Sequence, residues 1–223
     1  MEQSGCFIVI DGTDGSGKAT QTNLLVKNLK SKGYEVELID FPQYGTKSAG
    51  LIEEYLNGKY GTAKEVDPYI TSVFFACDRY DGSFKIRRWL QQGKIVIANR
   101  YVSSNMGHQA GKIADKAERK KFLKWLESFE YELLQIPRPG LTILLYLDPE
   151  IGQTWVDKKA PRDYIKGKKR DIHENNIKHL QDASQAYKEV AEDYNWPVIN
   201  AARTIDQVQA DIMKLVTPLL NPK

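Results

Sequence analysis

Short, nearly unbroken apolar runs alternate along this chain with longer segments in which apolar residues recur every three or four positions. The runs are Cys6–Ile10, Val36–Ile39, Ile95–Ala98, Thr142–Leu147 and Val198–Ile199. They are rich in β-branched residues and lack the alternation of a half-exposed strand, so they predict parallel strands buried on both faces. The intervening segments predict helices. Residues 18–32 carry Leu24, Leu25 and Leu29 on one side and end at Gly33. Residues 68–92 follow Asp67, an N-cap type, with Pro68 in the first helical position, and stop before Gly93. Residues 116–135 set Phe122, Trp125, Leu126, Phe129 and Leu133 at helical spacing, and 171–195 and 205–219 complete the set. The alternation predicts a three-layer α/β/α fold around a five-stranded parallel sheet, with right-handed crossovers.

One segment breaks the pattern. Residues 158–170, "KKAPRDYIKGKKR", are too hydrophilic for a core and read as a mobile surface insertion. A length of 223 residues suits one domain, 1–223, carrying such an insertion. The net charge of +3 is too small for general adhesion to nucleic acid or membrane. Two cysteines, Cys6 and Cys77, cannot build a disulfide framework, and both are expected as small buried apolar groups in a reducing compartment. With no signal-like or membrane-spanning stretch, a cytoplasmic protein is expected.

The chemistry begins at residues 10–21, "IDGTDGSGKATQ", placed between the first strand and the first helix. Strand, glycine-rich turn and helix form the context that makes a GxxxxGK pattern a P-loop. Gly12, Gly15 and Gly17 free the backbone, the amides of Thr13, Asp14 and Ser16 can join an anion nest, and Lys18 adds a mobile charge. Ala19 stands where a hydroxyl would ligate Mg²⁺, and Thr20 is turned about 100° away on a helix. Asp14 and Asp11 are then the nearest carboxylates, with Asp14 the metal-ligand candidate.

Four further stretches follow in order: "DFPQYG" at 40–45, "FFACDRY" at 74–80, "ANRYVSSNMGHQ" at 98–109 and "KKRDIHENN" at 168–176. In an open parallel sheet the first and third share the ligand crevice with the P-loop. Phe75 and Arg79 stand four apart on one helix and face the same side, where a ring can stack on a base and a guanidinium can bond a carbonyl or phosphate. Taken together, these stretches resemble the thymidylate kinases, P-loop nucleoside monophosphate kinases that convert dTMP to dTDP. The resemblance spans nearly the whole chain. It implies ATP and dTMP as substrates, Mg²⁺ as cofactor, a homodimer, and a lid at 158–170 that closes over ATP.

The resemblance also implies roles. Phe75 would stack on thymine, Arg79 and Asn105 would bond the base edge, and Phe41 and Tyr44 would wall the sugar and phosphate. Arg100 would hold the acceptor phosphate, with His108 and Gln109 beside it. Asp171 and Glu174 would approach the sugar hydroxyl. Arg162, or one of Lys166, Lys168, Lys169 and Arg170, would complete the charge cage around the moving phosphoryl group. A monophosphate acceptor is already anionic, so the protein needs to align and neutralise rather than to supply a strong base. Gln43, Asn99 and His108 depart from the family pattern, where arginine, aspartate and tyrosine are common. Those departures, with Ala19, leave open a kinase for another nucleotide or nucleoside, or a P-loop protein that only binds nucleotides. An apolar surface at Phe122–Leu133 could serve either a dimer or the core.

Overall fold

A computed structural model describes residues 5–156, 172 and 177–220. Its centre is a five-stranded sheet in the order β2-β3-β1-β4-β5, parallel throughout. The strands are β1 (Cys6–Gly12), β2 (Val36–Asp40), β3 (Ile95–Asn99), β4 (Leu141–Tyr146) and β5 (Val198–Asn200). The helices are α1 (Lys18–Ser31), α2 (Gly50–Leu56), α3 (Pro68–Gln91), α4 (Val102–His108), α5 (Lys116–Glu127), α6 (Pro149–Val156), α7 (Ile177–Asp193) and α8 (Ile205–Val216). The expected α/β/α layering is therefore present. Among the described residues no helix is long and apolar enough to cross a membrane.

Two cores follow from the unbroken apolar runs. On β1, Phe7 and Val9 face one layer, with Ile86 of α3, Phe122 of α5 and Val190 of α7. Ile8 and Ile10 face the other, with Leu25 and Leu29 of α1 and Val208 and Ile212 of α8. Each fully buried aliphatic side chain contributes about 1.5–3 kcal/mol over exposure, which is why β1 can sit centrally only with both layers in place.

Local signals set several boundaries. The Asp67 carboxylate accepts from the amides of Tyr69 (2.8 Å) and Ile70 (3.2 Å), capping α3 as expected. The segment 116–135 does not continue as one α-helix. After α5 the backbone widens into a π-helical turn, Ser128–Leu133, in which the Leu134 amide reaches back to the Phe129 carbonyl at 3.0 Å. α2, α4 and α6 lack long periodic patterns and were not legible as helices.

One expectation changes and one open alternative is decided. Cys77 is exposed on α3, because the buried side of that helix is taken by Ala76, Arg79 and Ser83. Phe122, Leu123 and Leu126 are core, so of the proposed apolar surface only its far end, Leu133, is strongly exposed.

α4 and α7 approach closely because Gly107 has no side chain. A Cβ there would lie 2.3 Å from the ring of fully buried Tyr187. Gly107→Ala is expected to lower stability by about 1–3 kcal/mol in urea unfolding, through overpacking. Gly50→Ala is the control, since its Cβ would meet no atom within 4 Å and φ is helical. It should change stability by less than about 0.5 kcal/mol.

Candidate active site

Two loops at the carboxyl ends of β1 and β3 form the first cluster. After β1 the chain turns through Gly15 (φ 80°) and Gly17 (φ 82°), left-handed angles that favour glycine. Gly15 has a second constraint, since a Cβ would fall 2.4 Å from the Gly152 carbonyl oxygen on α6. Gly17 caps α1 without a side-chain bond, which leaves the first amides of that helix for an anion. A Cβ at Gly17 would meet nothing within 4 Å, so space lies open beside the helix start.

The loop is anchored from behind. The Thr13 hydroxyl donates to the Leu147 carbonyl (2.8 Å) and accepts from its amide (2.9 Å). Lys18 curls over the loop, its Nζ donating to the carbonyls of Gly12 (3.0 Å) and Thr13 (2.8 Å). Ser16 Oγ is buried and has no hydrogen-bond partner among the described residues. A buried hydroxyl in that state is destabilising unless a ligand oxygen satisfies it. Open space, uncapped amides and an unsatisfied hydroxyl together fit the polyphosphate of a nucleotide. Ala19 and Thr20 are both exposed.

Arg100 follows β3 with φ 67°, a left-handed angle that is uncommon for a residue with a Cβ and clusters at functional sites. Its amide bonds the Ile10 carbonyl at 3.0 Å, which locks the turn to β1. The guanidinium is thereby aimed at the P-loop, and Nη2 donates to Asp14 Oδ1 at 2.6 Å. Lys18 Nζ lies 4.0 Å from the same oxygen. Burial alone would push the Asp14 carboxyl up, but Arg100, with His108 and Lys18, outweighs it and holds the group far below the usual carboxylate range. Arg100 Nη1 lies 3.3 Å from His108 Nε2, and because arginine only donates, the ring nitrogen accepts. Burial, supported by Arg100 and His179 against Asp14, lowers His108 to about 3, so the ring is neutral near pH 7. It stacks on His179 with centroids 5.8 Å apart and meets Tyr187 edge-on.

Behind this cluster sits Asp11, fully buried. It accepts from the Gly12 amide (2.8 Å), Ser103 Oγ (2.5 Å), Ser104 Oγ (2.8 Å to Oδ2) and the Tyr187 hydroxyl (3.0 Å). Sequence reasoning singled out none of Ser103, Ser104 and Tyr187. Tyr187 stands far along the chain, and only the α4–α7 contact brings it in.

The second cluster lies on α3 and α4. Arg79 is 1% exposed, and its Nε and Nη2 both donate to Glu130 at 2.6 Å, a side-on bidentate pair. Nη1 donates to the Tyr101 carbonyl at 3.3 Å. Removing one partner of such a pair leaves an uncompensated buried charge, at about 3–5 kcal/mol. Asn105, 1% exposed, turns its Nδ2 to the Ser72 carbonyl (3.3 Å) and to Glu130 Oε1 (3.5 Å). Glu130 was missed, although a signal existed. It stands four and eight residues after Leu126 and Phe122, on the apolar stripe of a predicted helix.

Phe75 is partly buried one turn before Arg79, edge-on to Tyr55 (6.4 Å, 87°) in a cluster with Ile52, Leu56 and Val66. Lys112 braces that wall, with Nζ bonding the Tyr55 hydroxyl (3.1 Å), the Val66 carbonyl (3.1 Å) and Thr71 Oγ1 (3.3 Å). Burial lowers it to about 7, opposed by Asp67.

Other sequence-derived candidates sit elsewhere. Phe41 is 4% exposed and packs inward, on Tyr101 (5.6 Å) and so near Gly82 that a Cβ there would touch its ring at 2.7 Å. It belongs to the core rather than to an open acceptor wall. Tyr44 is 39% exposed on the loop after β2. Gln109 is buried beneath α4, with its Oε1 lacking a partner among the described residues. The backbone N–H and side-chain amide of Gln43 grip Asp78, which Ser48 also bonds at 2.6 Å. Asn99 donates across the sheet to Asp40 at 2.7 Å. Arg162, Asp171 and Glu174 lie outside the described residues.

Comparison with known proteins accords with this geometry. The sequence model of the family described as thymidylate kinase matches residues 10–212. A thymidylate kinase from Mycobacterium tuberculosis is 30% identical over 186 residues, covering 83% of this chain and 85% of its own. One from Danio rerio is 27% identical, covering 95% and 89%. The solved structure of a thymidylate kinase from Candida albicans superposes with a TM-score of 0.75 at 24% identity, over 99% of this chain and 96% of that one, a likeness of fold. With a family match over most of its length and a P-loop facing an arginine across the sheet's carboxyl edge, the chain belongs to the thymidylate kinase family, the kinases that phosphorylate dTMP to dTDP.

Proposed function

We propose that this chain carries out its family's reaction by holding ATP on the 12–18 loop and dTMP between α3, α4 and Arg100, so that the γ-phosphoryl passes from one to the other. The observation that carries the assignment is the convergence of Lys18, at the start of α1, and Arg100, just after β3, on one carboxylate oxygen of Asp14, at 4.0 Å and 2.6 Å. Two cations a few ångströms apart at an open loop suit two phosphates held end to end. The Asp14 carboxylate keeps both cations in place without substrate. When the nucleotides bind, Lys18 exchanges loop carbonyls for donor phosphate oxygens and Arg100 exchanges Asp14 for the acceptor phosphate. Ser16 Oγ then gains the partner it lacks.

Mg²⁺ characteristically takes one or two carboxylates plus phosphate oxygens rather than a complete protein cage. Among the described residues there is no group of three or more metal-ligating His, Cys, Asp or Glu side chains, and Ala19 offers no side-chain oxygen, so Asp14 is the residue to hold the ion together with the nucleotide. The ion would supply charge neutralisation on the transferring group. Residues 158–170 would act as the lid, with Arg162 or a neighbouring cation closing the cage. The acceptor base would lie against Phe75, with Arg79 and Asn105 at its edge and His108 near the sugar.

The homodimer proposal rests on α3. Ile70, Cys77, Tyr80 and Phe84 are all exposed and follow one another at intervals of seven, three and four residues, a seam that a second copy of α3 can cover around a two-fold axis. Light scattering is expected to give twice the chain mass for the unaltered protein and the chain mass for Phe84→Glu. A dimer that survives this substitution would remove α3 from the interface.

Lys18→Met is expected to lower kcat by about 10²–10³-fold in an assay of ADP release, the usual loss for one transition-state cation or donor. Its melting temperature should barely move, because Met keeps the length and most of the bulk of the buried Lys18 stem. A rate within about threefold of the unaltered enzyme would contradict the assignment.

A further inference from the structure

We infer that Glu130 is a positioning residue that sets base selectivity, by fixing which atoms Arg79 and Asn105 present to the acceptor base. The inference rests on the placement of dTMP proposed above. Glu130 is fully buried, and its two oxygens take Nε and Nη2 of Arg79 at 2.6 Å each. With Nη1 on the Tyr101 carbonyl, the N–H groups left for a ligand are those at the Nη1/Nη2 end of the guanidinium. The same carboxylate acts on Asn105. Nδ2 stands between the Ser72 carbonyl (3.3 Å) and Glu130 Oε1 (3.5 Å), and neither can donate. The amide is thus pinned with its NH₂ inward and its carbonyl oxygen outward.

A guanidinium donor beside an amide acceptor matches one pyrimidine edge. Thymine and uracil offer a carbonyl oxygen and a ring N–H; cytosine offers an amino group and a bare ring nitrogen. The mismatch is the strong form of discrimination, because buried polar groups on both sides would be left unpaired. Glu130 touches no base in this arrangement. It acts only by holding two other side chains, from a π-helical turn that carries its backbone out of the α5 register.

Glu130→Gln keeps the shape but replaces one accepting oxygen by an NH₂ group; in the place of Oε1 that group opposes both Arg79 Nη2 and Asn105 Nδ2, so the guanidinium is freed to shift and only the Ser72 carbonyl is left to orient the Asn105 amide. The test compares dTMP, dUMP and dCMP as acceptors for the unaltered enzyme and E130Q. The ratio of kcat/KM for dTMP over dCMP is expected to fall by about 10-fold or more, through a raised KM for dTMP, with kcat within about threefold. This ratio does not depend on the fraction of folded enzyme, so lost stability cannot mimic the result. Glu130→Asp, which keeps the charge but withdraws it by one methylene, should shift the ratio the same way by less. In the unaltered enzyme, N3-methyl-dTMP, whose ring N–H is blocked, should bind about 10-fold or more weakly than dTMP. An unchanged selectivity ratio in soluble E130Q or E130D, or equal binding of the N3-methyl compound, overturns the inference. The acceptor assignment has a separate readout in Asn105→Ala. An unchanged dTMP KM there would remove the pocket and this inference together. A raised KM with constant selectivity in E130Q would remove only the role of Glu130.

Discussion

Everything at the catalytic edge hangs on one buried carboxylate at the end of β1. Asp11 lies just before the P-loop and collects the Gly12 amide, two serine hydroxyls of α4 and the Tyr187 hydroxyl of α7. A buried ion is tolerated only when its lone pairs are filled, so those four donors are obliged to stay where they are. The consequence is geometric. The nucleotide loop, the helix carrying Asn105 and His108, and the helix returning behind them are tied to one point. Gly107 lets α4 and α7 close to that distance.

Around this point the protein keeps two electrostatic regimes apart. Near the P-loop, Lys18 and Arg100 share Asp14, and Arg100 is still about a quarter exposed, at 24%. Those contacts are open enough for the proposed exchange with substrate phosphates, which would place stronger anions beside the same cations. On α3 the Arg79–Glu130 pair is sealed, at 2% and 0% exposure. Exchange there would strand a buried charge, so the pair serves as fixed geometry rather than as a moving part. One helix links the regimes, since α3 carries Phe75 and Arg79 on its inner side and Asp78, which clamps the loop after β2, beside them.

Much of this was readable beforehand, residue by residue. Gly12, Gly15, Gly17 and Lys18 announced a phosphate loop because local spacing alone dictates it. The stretch holding Arg100 and Asn105 was placed at the sheet's carboxyl edge because it follows a strand, while the roles of the two residues came from the family resemblance. Glu130, Tyr187 and Lys112 were not read, because each acquires its role from a partner tens of residues away. Gln43 and Asn99 looked like altered ligand contacts in isolation; in the fold they bond Asp78 and Asp40. Phe41 kept company with acceptor residues in the sequence, yet its ring fills the gap over Gly82 in the core.

The sequence by itself determined the strands, most of the long helices, the nucleotide loop and the order of the acceptor motifs. Those features depend on periodicity and on the backbone freedom of neighbouring residues, which are local properties. Only the tertiary structure decided which charge meets which. Burial strengthens every electrostatic contact and penalises every unpaired one, so the pairing of Arg79 with Glu130, and of Arg100 with Asp14, each far apart along the chain, is set by what the folded layers bring within bonding distance.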